Sequence, residues 1–456
     1  MRQTPPGPMN NKPRSDGKPA PARKRPPSAG PTASAETSLK KITPARLAAF
    51  EILTLIGQNK GHSDELLHSA RVDALSPEDR NLATTLVMGV LRWQIALDAR
   101  IRTLLQRPEQ RLAEPVAIAL RIGAFQLLHL DRIPPHAALS ESVELCRAAG
   151  EPHATGMVNA VLRKLAAAQK PGPRIHESVP AFAVRLAHPR CLVERWVVAY
   201  GREAALKICE ADQQEPTEGA MFAASSTGPA HDLPQMDDGS RLVAELAAAA
   251  MPDAKRVWDC CAAPGGKTLI LARRLGSAQL VATDVSAKRL AQMEARLRRY
   301  AYAEKVQCAV KDAAAPSSAD LNDLFDLILC DVPCSGTGTL ARNPEIRLRL
   351  KPEELARQAE RQKAILTGAL KRLAPGGRLI YSTCSLEPEE CEQVVEAVSA
   401  TSNLRQLPIE PLLAHLAESV LHPDADLGSA VRVGALRTLP GVHNCDGFFA
   451  VVLERV

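Results

Sequence analysis

The chain has 456 residues, enough for two or three domains. Its composition, 45% hydrophobic and 24% charged, is typical of a soluble globular protein. It contains no run of about 18 apolar residues, and its polar, proline-rich N-terminus lacks the apolar stretch of a secretory signal, so we expect neither a membrane span nor secretion. We therefore expect a cytoplasmic protein, whose eleven cysteines are free thiols, metal ligands or catalysts rather than disulfides.

The net charge of +6 is unevenly distributed. Residues 1–41 carry nine Lys or Arg against Asp16 and Glu36, which gives +7, so the remaining chain is close to neutral at −1. This segment is rich in Pro, Ser, Gly and Ala and lacks apolar periodicity, so we expect a disordered basic tail. It is either a solvated tail without a specific role or an arm that binds phosphates nonspecifically.

Ordered sequence begins at Thr43-Pro44, an N-cap followed by proline at the first helical position. A second helix start is Ser76-Pro77-Glu78-Asp79. Apolar residues recur at helical spacing over about 114–130, 135–149 and 154–168, and almost no strand pattern precedes residue 170. The sequence predicts an all-α domain over 42–170, interrupted at Lys170-Pro171-Gly172-Pro173.

A second helical piece is predicted over about 188–212, and the polar residues 213–240 read as a linker with at most one short strand. From residue 241 to 456 strands and helices alternate, which predicts an α/β domain with a doubly wound, mostly parallel sheet. The expected strands are listed in chain order: 257–258, 280–284, 306–310, 325–330, 377–382, and two late antiparallel strands at 431–437 and 447–454. Ligands of such sheets bind beyond the carboxyl ends of the strands.

The first strand of this sheet runs into a loop of small residues before a helix, suited to close approach of a ligand. Its residues are Cys261, Ala262, Ala263, Pro264, Gly265, Gly266 and Lys267. The loop is neither a GxGxxG fingerprint nor a P-loop, since a P-loop requires glycine at the position of Cys261. Asp284 closes the second strand, where an acid can bind a ribose diol, and Asp312 follows the third, where an acid can bind an adenine amino group. Together they predict an adenosine-containing cofactor.

Two further strand ends carry cysteines within polar loops. The fourth strand ends in Cys330-Asp331-Val332-Pro333-Cys334, and the fifth in Ser382-Thr383-Cys384-Ser385. Free cysteines are usually buried and inert. Here the sequence predicts that Cys334, Cys384 and the Asp331 carboxylate surround one pocket.

The motifs DCCAAPGGKT, DVPCSGTGTL, NPEIR and STCSLEPEE resemble those of Sun/Fmu-type RNA cytosine-5 methyltransferases, and residues 43–168 resemble the antitermination factor NusB. This fusion is typical of the family members that methylate 16S rRNA. The resemblance covers nearly everything after residue 42. It implies an all-α NusB-like domain that binds RNA and a Rossmann-like methyltransferase domain with S-adenosylmethionine as cofactor.

The resemblance also implies the roles of individual residues. S-adenosylmethionine would bind the loop Cys261–Lys267 and Asp331, with Asp284 on the ribose and Asp312 near the adenine. Cys384 would add to C6 of cytosine, Asp331 would bind the base at N3, and Cys334 would assist elimination of the product. A thiolate is the natural group for such an addition, because C5 of cytosine is too weak a nucleophile without a covalent intermediate.

Several expectations complete the interpretation. Arg342 and Arg347 are either solvated surface charges or phosphate contacts beside a flipped-out base. The cysteine spacings match no metal site, so we expect no metal. We expect a monomer. Family members usually carry a small RNA-binding subdomain before the cofactor domain, and residues 171–240 predict a helical linker with a reduced version of it.

Two other functions stay open from the sequence. The RNA substrate could be tRNA instead of 16S rRNA. Alternatively, the chain could be a non-catalytic NusB-like RNA-binding protein with a vestigial methyltransferase domain, although intact Cys384, Cys334 and Asp331 argue against it.

Overall fold

The architecture is taken from a computed structural model that describes residues 42–168, 177–216, 219, 221–222, 235–315, 324–425 and 427–456. The predicted basic tail and the break at Lys170–Pro173 lie outside these residues. None of the helices in the described ranges is long and apolar enough to cross a membrane.

The N-terminal region consists of helices alone, and both predicted helix starts are confirmed. Thr43 is extended ahead of a helix that begins at Pro44, and the Ser76 hydroxyl accepts a hydrogen bond from the Asp79 amide at the start of another. Apolar faces at helical spacing bury a common core. The helices are α1 Pro44–Gly57, α2 Ser63–Leu67, α3 Ala70–Asp73, α4 Pro77–Arg102, α5 Glu114–His129, α6 Pro135–Ala148 and α7 Thr155–Ala167.

Three connecting helices follow: α8 Val179–Arg185, α9 Arg190–Tyr200 and α10 Arg202–Ala211. The single helical piece predicted over 188–212 is therefore two helices, because Gly201 adopts a φ of 86° that ends α9. The sequence analysis also missed α8. These helices pack around the buried Trp196. Leu340 and Leu386, from the C-terminal half of the chain, join the same apolar cluster.

The C-terminal half is built on one nine-stranded sheet in the order β3-β2-β1-β4-β5-β9-β8-β7, with β6 pairing against β9. Strands β1 to β5 are parallel and β9 is antiparallel to β5, as predicted. The strand predicted over 431–437 is instead two short antiparallel strands, β7 and β8, because Val433 and Gly434 between them adopt positive φ. The strands are β1 Arg256–Asp259, β2 Gln279–Asp284, β3 Val306–Val310, β4 Phe325–Asp331, β5 Leu373–Thr383, β6 Leu404–Leu407, β7 Val431–Arg432, β8 Ala435–Arg437 and β9 Phe449–Arg455.

Helices cover both faces of the sheet. Along β4, Leu327 and Leu329 join one apolar cluster while Ile328 and Cys330 join another, which is the alternation of a strand buried on both sides. The helices are α11 Asp238–Ala250, α12 Gly266–Arg274, α13 Ala287–Arg299, α14 Ile346–Arg349, α15 Pro352–Leu370, α16 Glu392–Ser399 and α17 Glu410–Ser419. The elements α2, α3, α11, α14, α17 and β6 were not predicted from the sequence. The fold class predicted from the sequence, an all-α domain followed by an α/β domain, is confirmed.

Candidate active site

The loops that follow β1, β2, β4 and β5 carry the predicted functional residues at the carboxyl ends of neighbouring parallel strands. The register of β4 and β5 aligns Asp331 with Ser382, so Cys334 and Cys384, which lie a few residues beyond, enter the same space. The helix after β1 begins at Gly266 and directs its N-terminal amides toward this edge.

The predicted cofactor loop is fixed between β1 and β2. The Ala262 amide donates to the Thr283 carbonyl at 2.9 Å, and the Ala263 amide donates to Asp284 Oδ2 at 3.3 Å. Gly265 adopts a φ of 92°, and a Cβ there would lie 2.7 Å from the Met293 side chain. The turn therefore requires glycine. Ala262, Ala263 and Gly265 are buried, Pro264 is exposed, and Cys261, Gly266 and Lys267 are half-buried.

The two acids assigned to the nucleoside lie at the ends of β2 and β3. Asp284 is buried, and its Oδ1 accepts from the Ser286 amide at 2.8 Å. Asp312 is exposed, and its Oδ1 accepts from the Ala314 amide at 2.9 Å. Each carboxylate keeps lone pairs beyond these contacts, which suits acceptance of hydroxyl or amino donors from a ligand.

Asp259, at the end of β1, has an unused acceptor. Its Oδ2 accepts from Thr268 Oγ1 at 2.6 Å, whereas Oδ1 is buried and has no hydrogen-bond partner in the described parts of the chain. Burial raises the pKa of Asp259 to about 7, although the Thr268 hydrogen bond opposes this. Such an acceptor beneath a cofactor loop fits the ammonium group of an amino-acid moiety such as that of S-adenosylmethionine.

The two predicted cysteines meet. The sulfur atoms of Cys334 and Cys384 are 3.3 Å apart, and both side chains are half-buried. The hydrogen bond with Cys384 and burial raise the pKa of the Cys334 thiol well above its ordinary value, with a smaller contribution from the charge of Glu390. Cys334 is therefore a neutral thiol near pH 7 while Cys384 is its neighbour.

Asp331 lies beside the thiols and is paired with the cofactor loop. Its Oδ2 is 2.8 Å from Lys267 Nζ, and its Oδ1 accepts from Ser382 Oγ at 2.7 Å. Burial lowers the pKa of Lys267, but the charges of Asp331 and Cys384 more than offset it, and the net pKa is raised. The ammonium of Lys267 also donates to Ser240 Oγ at 2.8 Å. Sequence analysis placed Lys267 in the cofactor loop but missed its contact with Asp331, which only the packing of β1 against β4 creates.

Glu390, which was not predicted from the sequence, is buried between the two cysteine loops and accepts hydrogen bonds from Ser335 and Ser385. The signal available was the acidic run Glu387–Glu390 immediately after the Cys384 motif. Its separate acids have different partners. Glu387 and Glu389 bind Arg195 of α9, while Glu390 faces inward.

The prediction that Arg347 contacts phosphate is contradicted, since this side chain is only 2% exposed. Its guanidinium donates to the backbone carbonyls of Arg92, Ala187, Asp212 and Leu340. These bonds join the N-terminal domain and the connecting helices to the C-terminal half. Arg342 is partly exposed and pairs with Asp446 and Asp237. An RNA contact by Arg342 stays a prediction.

Among the described residues, no group of three or more His, Cys, Asp or Glu side chains is arranged to hold a metal ion.

Residues 247–454 match the family model described as 16S rRNA methyltransferase RsmB/F, and residues 43–167 match the NusB family. The chain is 32% identical to ribosomal RNA small subunit methyltransferase B of Xanthomonas campestris over 458 residues, covering 92% of this chain and 99% of that protein. It is 30% identical to the protein of the same name from Klebsiella pneumoniae, covering 90% and 97%.

A crystal structure of PH0851 shares the fold, with a TM-score of 0.66 and 21% identity, covering 91% of this chain and 99% of that chain. Because residues 247–454 match the RsmB/F model and relatives at 30% identity or more align over nearly their whole lengths, the chain belongs to the RsmB/F family of S-adenosylmethionine-dependent rRNA methyltransferases.

Proposed function

We propose that this protein methylates C5 of a cytosine in 16S rRNA through a covalent bond between Cys384 and C6 of the base. The single observation that carries the proposal is the meeting of two thiols, 3.3 Å apart, at adjacent strand ends beside Asp331. Methylation of a ring nitrogen or a ribose hydroxyl requires no thiol, whereas C5 of cytosine becomes nucleophilic only after a nucleophile has added to C6.

The cofactor loop and its acids are proposed to hold S-adenosylmethionine, which supplies an activated methyl group when bound. The backbone of Cys261–Gly266 would border it, Asp284 would accept from its ribose and Asp312 from its adenine amino group. Asp259 Oδ1 would receive its ammonium. The unpartnered acceptor at Asp259 and the glycine-dependent turn at Gly265 support this assignment.

Asp331 and Lys267 are proposed to hold the target base. Their ion pair, 2.8 Å from Lys267 Nζ to Asp331 Oδ2, holds the Asp331 carboxylate next to the thiols. A carboxylate at this position can bind the cytosine at N3 once that nitrogen carries a proton. Protonation at N3 withdraws electrons from the ring and makes C6 a better target for a thiolate.

The two thiols are proposed to act in sequence. The Cys384 thiolate adds to C6, and C5 takes the methyl group. Cys334 then assists removal of the C5 proton, the Cys384–C6 bond breaks, and the ring regains its aromaticity. The hydrogen bond with Cys384 is the largest cause of the raised Cys334 pKa. That cause disappears when Cys384 is bonded to carbon, so the pKa of Cys334 falls, although burial and the charge of Glu390 continue to raise it.

The experiment compares single cysteine variants on 16S rRNA. Cys334→Ala should accumulate an enzyme–RNA adduct that survives denaturation, while Cys384→Ala should form no adduct and no product yet bind S-adenosylmethionine in a calorimetric titration. Trapping by the Cys384 variant would show that the two roles are exchanged. Wild-type turnover in Cys384→Ala would refute the covalent mechanism.

The choice of 16S rRNA rests on the names of the relatives, and tRNA is the alternative. Bisulfite sequencing of total RNA from a deletion strain should show one lost 5-methylcytosine in 16S rRNA. Loss of a tRNA site instead would reassign the substrate while leaving the chemistry intact.

A further inference from the structure

We propose that Glu390 is a positioning residue that sets the relative placement of the two thiols by joining the loops that carry them. The inference rests on the proposed roles of Cys334 and Cys384. Ser335 directly follows the first cysteine and Ser385 directly follows the second, and the Glu390 carboxylate binds both serines.

The contacts involve both oxygens of the carboxylate. Oε1 accepts from the Ser335 amide at 2.8 Å, and Oε2 accepts from the hydroxyls of Ser335 and Ser385, the latter at 2.6 Å. Each loop is therefore held one residue beyond its thiol. Ser335 contacts both carboxylate oxygens, and the hydroxyl of Ser385 on Oε2 adds the second loop.

A third element braces the same group. Gln362, buried on α15, donates from Nε2 to Glu390 Oε1 at 3.0 Å and to the Pro333 carbonyl at 2.9 Å, just before Cys334. The Tyr381 hydroxyl donates to the Glu390 carbonyl at 2.7 Å and anchors its backbone to β5. The carboxylate is thus fixed relative to the sheet as well as to both loops.

Glu390 is completely buried, and its carboxylate depends on hydrogen bonds from both cysteine loops. Its relative exposure is 0%, and burying a carboxylate is costly unless hydrogen bonds compensate for the lost water. The four donors described above provide that compensation. Accurate placement of the two thiols matters for the rate. Displacement of a catalytic group by about 1 Å can reduce a rate by about 100-fold.

Two variants distinguish the contribution of the Glu390 side-chain length from that of its charge. Glu390→Gln keeps the side-chain length, and its amide can accept from the Ser335 amide and donate to the serine hydroxyls. Glu390→Asp keeps the charge but is one methylene shorter and cannot span both loops. Both should fold, because the Gly338 amide still donates to the Cys384 carbonyl at 2.9 Å and joins the loops independently.

The measurements are kcat and KM for S-adenosylmethionine and RNA, with the full-length protein. We expect kcat to fall by less than fivefold in Glu390→Gln and by about 100-fold in Glu390→Asp, with both KM values within twofold of wild type. The reverse order would overturn the positioning role in favour of a role for the charge, and equal wild-type kcat in both would overturn it altogether. Glu389→Gln is the matched control, since Glu389 binds Arg195 away from the thiols.

An adduct assay keeps this inference distinct from the proposed function. RNA carrying 5-fluorocytidine at the target should trap wild-type enzyme, because fluorine at C5 cannot leave as a proton does. We expect Glu390→Asp to trap at least tenfold more slowly. Absence of a wild-type adduct would overturn the covalent mechanism, and with it this inference, whereas equal trapping rates would overturn only the role of Glu390. If Glu390→Asp fails to bind S-adenosylmethionine, Ser385→Ala replaces it, with an expected tenfold loss of kcat and the same refuting outcome.

Discussion

The ammonium of Lys267 lies 2.8 Å from the carboxylate of Asp331, so the loop after β1 is joined directly to the end of β4. Lys267 lies in the segment assigned to S-adenosylmethionine, and Asp331 in the segment assigned to the base. A single ion pair therefore connects the two halves of the site.

Replacement of Lys267 by methionine should lower kcat at least tenfold while changing the Kd for S-adenosylmethionine by less than fivefold. The physical reason is that Lys267 contacts Asp331 and Ser240, and its loss leaves the half-buried Asp331 without its counter-ion. Steady-state kinetics and calorimetry measure the two quantities. Lys288→Met is the control, because Lys288 pairs with Glu65 at the surface. A large loss of affinity for S-adenosylmethionine with normal kcat would show that Lys267 binds the cofactor and does not act through Asp331.

Replacement of Arg347 by methionine should destabilise the protein by roughly 2–4 kcal/mol, because four buried carbonyls lose their donor. Urea unfolding measures this change. RNA affinity, measured where the variant is folded, should stay within twofold of wild type, since a buried guanidinium offers nothing to phosphate. The exposed Lys351→Ala serves as a control for stability. A marked loss of RNA affinity with unchanged stability would restore the phosphate-binding interpretation of Arg347.

The ligand-free protein should show a pH dependence that originates at Asp259. Burial raises its folded-state pKa to about 7, above that of the unfolded chain. The folded state therefore binds more protons, and the contribution to stability is fully present below the unfolded pKa and lost as pH rises through about 7. Asp259→Asn removes this loss of stability at high pH, because asparagine does not ionise.

We expect the Tm of Asp259→Asn to exceed that of wild type at pH 8 and the difference to shrink toward pH 4. The corresponding difference in the free energy of unfolding has an upper bound of about 4 kcal/mol, which follows from the size of the pKa shift. Thermal unfolding without cofactor measures it. Asp326→Asn, at the other end of the sheet, is a comparison for general effects of charge removal. A Tm difference that is constant with pH would contradict the assignment.

Deletion of residues 1–41 should leave turnover at saturating RNA unchanged. It should weaken RNA affinity at low salt and reduce the salt dependence of binding, because the segment carries a charge of +7 and phosphate contacts release counterions. Binding isotherms across a salt series test this. Lower turnover at saturating RNA would show that the segment contributes to catalysis, and identical salt slopes would show that it is a solvated tail.

The sequence alone determined the order of the five parallel strands and the starts of most long helices, because these depend on local rules. Two helix starts are visible without any tertiary information, because proline follows an N-cap residue at Thr43 and at Ser76. The alternation of strands and helices after residue 256 is visible in the same way. The fold class, the cofactor loop and the two cysteine motifs are likewise local patterns. Gly201 also carried the break between α9 and α10, although its signal was overlooked.

Only the tertiary structure decided which side chains meet. Arg347 and Lys351 are similar cations four residues apart, yet the first is buried among carbonyls from three regions of the chain and the second is exposed. Glu389 and Glu390 are adjacent, yet Glu389 faces Arg195 and Glu390 joins the two loops that carry Cys334 and Cys384. Charge patterns in a sequence cannot distinguish such neighbours, because burial and hydrogen-bond partners come from residues distant in the chain that packing brings together.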